Sequence, residues 1–158
     1  MKRRDFVRTV AGATAGLYAS SGWLDAQAGP ARRQVSIGGR RITVVDVHSH
    51  CTVPEVAPVV KGTAFERQAA GRPLGPDRIA LIDKQGIDIQ VLTINGFWWY
   101  EVPDRALADQ IVRAQNEGLA SWVRAHSDRF VALASSSLQF PELAAQQLED
   151  GMTRLGLK

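Results

Sequence analysis

The sequence predicts an α/β protein built on a parallel sheet, and three observations carry that expectation. Short apolar runs rich in β-branched residues begin near positions 42, 87 and 130, a spacing that fits one strand-helix unit each. Segments with helix start and stop signals lie between them. The runs are almost continuously apolar, as expected where both faces of a parallel sheet are covered.

In chain order, Val35 to Ile37, Gly38-Gly39 and Arg41 to Val44 read as a short hairpin with a glycine turn. Its second arm runs on into the first main strand, Ile42 to His48. A second strand is expected over Ile87 to Ile94 and a third over Phe130 to Ser137. Pro76-Asp77 opens a helix that Gly86 stops. Pro103-Asp104 opens a longer one with Leu107, Ile111, Ala114 and Trp122 on one face. Pro141 begins a third, closing near Gly156. A β-α series of this kind gives parallel strands joined by right-handed crossovers. Gly156-Leu157-Lys158 has the look of an approach to a fourth strand. A closed barrel of eight such units takes about 250 residues, so residues 29 to 158 read as the N-terminal part of a longer barrel. A small open α/β domain is the alternative.

Composition narrows the function classes. The chain has 158 residues, 45% of them hydrophobic and 22% charged, with a formal charge of +3. Lys2, Arg3, Arg4 and Arg8 supply much of that excess, against Asp5 and Asp25. The rest is near neutral, which argues against nucleic acid as a partner. Residues 1 to 28 read as an export signal: a basic start, a weakly apolar run from Thr9 to Leu24, then Ala26-Gln27-Ala28 as a cleavage site. The run is too rich in Gly, Ala, Ser and Thr for a stable membrane span. Arg3-Arg4-Asp5-Phe6-Val7-Arg8 resembles the twin-arginine motif. It implies the twin-arginine export machinery as a partner and a bacterial periplasmic location; an ordinary secretory signal or a basic N-terminal helix is the alternative. Cys51 is the single cysteine, so no internal disulfide forms.

The chemistry concentrates on the first main strand, which ends Asp46-Val47-His48-Ser49-His50. With regular alternation Asp46, His48 and His50 share one face, while Val45 and Val47 pack under a helix on the other. Imidazoles about 6 to 7 Å apart along a strand can converge on one ion through Zn–N bonds of about 2 Å. His48 and His50 are therefore the candidate metal ligands; two surface histidines are the alternative. Asp46 either orients a ligand or satisfies buried backbone groups. Alternation turns Cys51 away from the pair. His126, near a helix end, reads as a surface residue. Arg67 and Arg72, on the long loop from Cys51 to Gly75, are candidates for binding a substrate carboxylate, or are solvated. Asn95, Phe97, Trp98 and Trp99 follow the second strand and either wall a pocket for a small-molecule substrate or cap the core. Ser135-Ser136-Ser137 lacks a nucleophile elbow.

Asp46-x-His48-x-His50 is similar to the first metal-binding strand of the amidohydrolase superfamily. The stretch from Asp77 through Gly86-Ile87-Asp88 to Leu92 resembles its branch containing 2-amino-3-carboxymuconate-6-semialdehyde decarboxylase, as do Ala114 to Ala120 and Asp128-Arg129-Phe130. The resemblance implies the first three units or so of a (β/α)₈ TIM barrel, preceded by the hairpin. It also implies one divalent metal ion, usually zinc, with the remaining ligands and catalytic residues beyond residue 158. The expected activity is metal-dependent decarboxylation or hydrolysis of a small carboxylated or aromatic substrate. The rival is an exported binding or structural domain without catalysis. A homo-oligomer is left open.

Overall fold

A computed structural model describes residues 32–71 and 73–158. Arg72 and the export-signal reading over residues 1–28 lie outside the described residues. The unit Arg33–Lys158 begins with a hairpin of β1 (Ser36–Ile37) and β2 (Arg40–Arg41), joined by Gly38 and Gly39. Both glycines have positive φ, 56° and 77°, the conformation of a two-residue turn whose twist suits flanking strands. Arg41 pairs with Asp88, and the other oxygen of that carboxylate accepts from Val44 N–H at 2.7 Å. The hairpin thus ends before the main strand instead of running into it.

The main sheet has three parallel strands, β3 (Val45–Cys51), β4 (Ile89–Ile94) and β5 (Phe130–Ala132), in that order. Between β3 and β4 come a 3-10 turn at Pro54–Val56 and helices α1 (Ala57–Val60), α2 (Glu66–Ala69) and α3 (Pro76–Gln85). A second 3-10 turn (Trp98–Glu101) and α4 (Arg105–Ala125) follow β4, and α5 (Pro141–Thr153) follows β5. Local chemistry explains the boundaries. Pro76 stands at the first turn of α3, and Gly86, at φ 78°, donates its N–H to Asp83 and Ile82 carbonyls at the other end. Asp104 caps α4 by accepting from the N–H groups of Ala106 and Leu107 at 2.7 and 3.0 Å.

Helices cover one face of the sheet only. Cys51, Leu92, Ile94, Phe130 and Ala132 point into that layer and meet Ile82 of α3 and Ile111, Val112 and Leu119 of α4, all nearly fully buried. Each buried aliphatic side chain contributes about 1.5–3 kcal/mol. The other face is open: Val45 is 46% exposed, Val47 72% and Leu133 40%. Val45 and Val47 therefore do not pack under a helix as regular alternation had suggested. In a closed barrel such a face is the interior.

The third strand is shorter than its sequence implies. Beyond Ala132, side chains of the helices take over its backbone groups: Ser135 N–H donates to Asn116 Oδ1 and Ser137 N–H to Gln147 Oε1, both at 2.8 Å. At its outer edge Lys158 N–H donates to Ala132 O and Ala134 N–H to Lys158 O, the start of a parallel ladder. The expected approach to a fourth strand is present there. No helix among the described residues is long and apolar enough to cross a membrane.

Candidate functional site

β3 is not a regular strand, and its irregularity builds the site. Asp46 pairs with Gln90 and Ser49 with Leu92, so Val47 and His48 together stand opposite the single residue between them. This β-bulge reverses the alternation. Asp46, Ser49 and Cys51 face the helix layer, whereas Val47, His48 and His50 face the open side. The expectation that Asp46 shares a face with the histidines is therefore corrected.

On the open face the two imidazoles converge. His48 Nε2 and His50 Nε2 are 2.8 Å apart, with ring centroids 4.7 Å apart. Two metal–nitrogen bonds of about 2.0–2.1 Å span such a separation, so the pair fits a shared divalent ion. Among the described residues no third His, Cys, Asp or Glu joins them in a ligand cluster. The cleft beside the pair, about 780 Å³, is lined also by Leu74, Asp77, Arg78 and Gln90.

Asp46 supports the pair through the main chain. Its Oδ1 accepts from His48 N–H at 3.3 Å, while Oδ2 accepts from Gln90 Nε2 at 2.9 Å and from the Ser49 hydroxyl. Burial pushes this carboxyl up, but those hydrogen bonds and the charge of Arg78 outweigh burial and hold it below its ordinary value. Arg78 of α3 donates to Gln90 Oε1 and to His50 O, both at 2.9 Å. Sequence reasoning missed Arg78 and Gln90. Gln90 was detectable as the one amide side chain within the largely apolar run Ile89 to Ile94.

The remaining candidates separate. Cys51 is 2% exposed, donates to Thr93 O at 3.4 Å, and burial pushes its thiol up to about 11. It is a packing residue, as alternation had it. Arg67 is exposed on α2 and does not line the histidine cleft. The loop that carries it is anchored, because Val53, Val56 and Val60 bury themselves in the core. Trp98 and Trp99 are buried: Trp98 stacks on Phe65 and Trp99 Nε1 donates to Ser136 O at 3.0 Å. Asn95 is exposed and donates its N–H to Cys51 O. Phe97 is 56% exposed at φ 54° and stacks on Tyr100. Phe97, Trp99, Tyr100 and Leu133 border a small cleft with Thr93, the residue that pairs with His50. His126 caps α4 and packs its ring on Trp122.

A three-stranded parallel sheet with helices on one face, open on the other, and paired histidines near the C-terminal end of its first strand has the arrangement of the N-terminal part of a (β/α) barrel. Comparison with known proteins makes this particular. No family model matches the chain. Gamma-resorcylate decarboxylase of Rhizobium radiobacter is 32% identical over 117 residues, 71% of this chain and 36% of that protein. The crystal structure of 2,6-dihydroxybenzoate decarboxylase from Rhizobium superposes with a TM-score of 0.60 at 28% identity, covering 73% of this chain and 36% of the other. Dihydroxybenzoic acid decarboxylase from Polaromonas sp. JS666, solved with bound manganese and the inhibitor 2-nitroresorcinol, gives 0.60 at 25% identity, again over 73% and 36%. These relatives are decarboxylases, as are members of the branch that the strand and helix motifs resemble. It spans about a third of the length of the curated relatives it matches.

Proposed function

We propose that the intact protein is a divalent-metal-dependent carboxy-lyase acting on a hydroxylated aromatic carboxylate. The observation that carries this reading is the convergence of His48 and His50 Nε2 at 2.8 Å on the open face of the sheet. The kinship with decarboxylases of dihydroxybenzoates supports decarboxylation over hydrolysis. Manganese in the Polaromonas relative supports a divalent ion and sets manganese beside the zinc that sequence resemblance suggested. Nitrogen ligands accept either metal, and oxygen ligands favour manganese. When bound, the ion supplies Lewis-acid polarisation of substrate oxygens.

The chain's own residues do the rest of what it offers. His48 and His50 bind the ion from one side, and Asp46 holds the backbone N–H of His48. Phe97, half out of the surface beside Thr93, offers a flat apolar shelf to a substrate ring. The test is release of labelled carbon dioxide from carboxyl-labelled 2,6-dihydroxybenzoate by the intact protein with Mn²⁺. Release that requires metal and disappears in His48→Ala is expected. Ester hydrolysis without carbon dioxide release from any dihydroxybenzoate would contradict the reading. We further propose export through the twin-arginine route, read from Arg3-Arg4. A double Arg3→Lys/Arg4→Lys variant should stay in the cytoplasm, and normal export of that variant would refute the route.

A further inference from the structure

We infer that Gln90, braced by Arg78, is a positioning residue for the metal pair, because it pins the bulge that sets the direction of His48 and His50. The inference rests on the reading of that pair as metal ligands.

Gln90 is 6% exposed and stands on the same strand face as Leu92 and Ile94, where a neutral polar group is costly unless bonded. Its amide is fully engaged. Nε2 donates to Asp46 Oδ2 and Ser49 Oγ, both at 2.9 Å, and Oε1 accepts from Arg78 Nε. Asp46 and Ser49 are the residues on either side of the bulge. One side chain thus clamps both shoulders of the irregularity. Arg78 adds a second hold by donating to the carbonyl of His50, one residue further along.

The geometric consequence follows from strand periodicity. A one-residue change of phase sends every later side chain to the opposite face. With the bulge, Asp46 faces the helices and both histidines face the open side; without it, Asp46 and the histidines share one face. A bulge carries no ladder bonds of its own at the extra residue, so something else must fix its place. Here a buried amide on the neighbouring strand does so, and a leucine of similar size cannot.

Groups behind metal ligands typically change affinity by about 10–100-fold when removed. The test uses the full chain and two probes, Mn²⁺ titrated by the loss of its free resonance signal and Cu²⁺ read by nitrogen splitting in its spin-resonance spectrum. Wild type should show two coordinated nitrogens. Gln90→Leu, checked for folding by circular dichroism, should bind Mn²⁺ at least about 10-fold more weakly and lose the two-nitrogen pattern. Wild-type affinity and splitting in a folded Gln90→Leu would overturn the inference. If that variant does not fold, Ser49→Ala removes one shoulder of the clamp and must shift both readouts in the same direction; no shift would overturn it equally. His48→Ala separates the two claims. If it binds like wild type, the ligand reading itself fails; if it loses a nitrogen while Gln90→Leu does not, only the positioning role fails.

Discussion

Arg129→Leu, away from the histidine cleft, should destabilise the chain by about 3 kcal/mol. Arg129 is 5% exposed just ahead of β5, and its guanidinium reaches back to the junction between α3 and β4. Nε donates to Asp88 O at 2.9 Å, and Nη2 donates to Ile87 O at 3.0 Å and pairs with Asp83 at 2.8 Å. Leucine keeps much of the apolar stem but leaves two carbonyls without these donors, at about 1–1.5 kcal/mol each. Asp83, with its side chain 27% exposed, recovers part of its loss from water, so the ion pair adds only a fraction of the fully buried figure. At about 3–4 °C per kcal/mol for a chain of this size, the melting temperature should fall by about 10 °C. Arg129→Lys keeps a charge near Asp83 but lacks the fork, so it should lie between the two. Thermal unfolding followed by circular dichroism, with a urea titration to show an unchanged slope, measures both. A Leu variant melting within about 3 °C of wild type would refute the assignment of this guanidinium as the tie across the junction.

Three further outcomes follow. Gly118→Ala should destabilise by about 1–3 kcal/mol in a urea titration, because a β-carbon there would lie 2.8 Å from Val53 Cβ and 2.6 Å from Glu55 Oε2. Burial pushes Asp109 up, but hydrogen bonds from Gln147 and Arg113 and the charges of Arg113 and Arg105 leave it below its ordinary 3.8. A lowered folded value means stability present above about pH 4 and lost as pH falls through that folded value, so Asp109→Asn should lose less between about pH 5 and pH 3 than wild type does. Phe97→Gly suits the positive φ but loses the ring contacts with Trp99 and Tyr100, so stability should change by less than about 1 kcal/mol while KM for an aromatic substrate rises; an unchanged KM would remove Phe97 from the substrate shelf.

What the sequence made legible was whatever is decided within a few residues. Pro76 and Gly86 mark both ends of α3, Asp104 marks the start of α4, and Gly38-Gly39 marks the hairpin turn, each by local backbone chemistry. What it hid was decided across the fold. The bulge in β3 depends on Gln90, distant in sequence from Asp46, so period-two alternation placed Asp46 and the valines on the wrong faces. Trp98 and Trp99 read equally as pocket wall or core cap, and Phe65 and the Ser136 carbonyl turn both inward. The third strand read long because Ser135 and Ser137 lose their ladder to Asn116 and Gln147, side chains from two different helices. The loop after β3 was in part readable: Val53, Val56 and Val60 recur at three- and four-residue steps, a helical core signal inside a long Gly- and Pro-containing segment.

The proposed function stands on His48 and His50 holding one metal ion between them. Equilibrium dialysis of the purified intact protein against Mn²⁺, with metal analysis of wild type and of His48→Ala/His50→Ala, addresses it directly. Wild type should hold one ion per chain, and the double variant should bind at least about 10-fold more weakly at an unchanged melting temperature of the metal-free proteins. Equal metal content in the two proteins would contradict it.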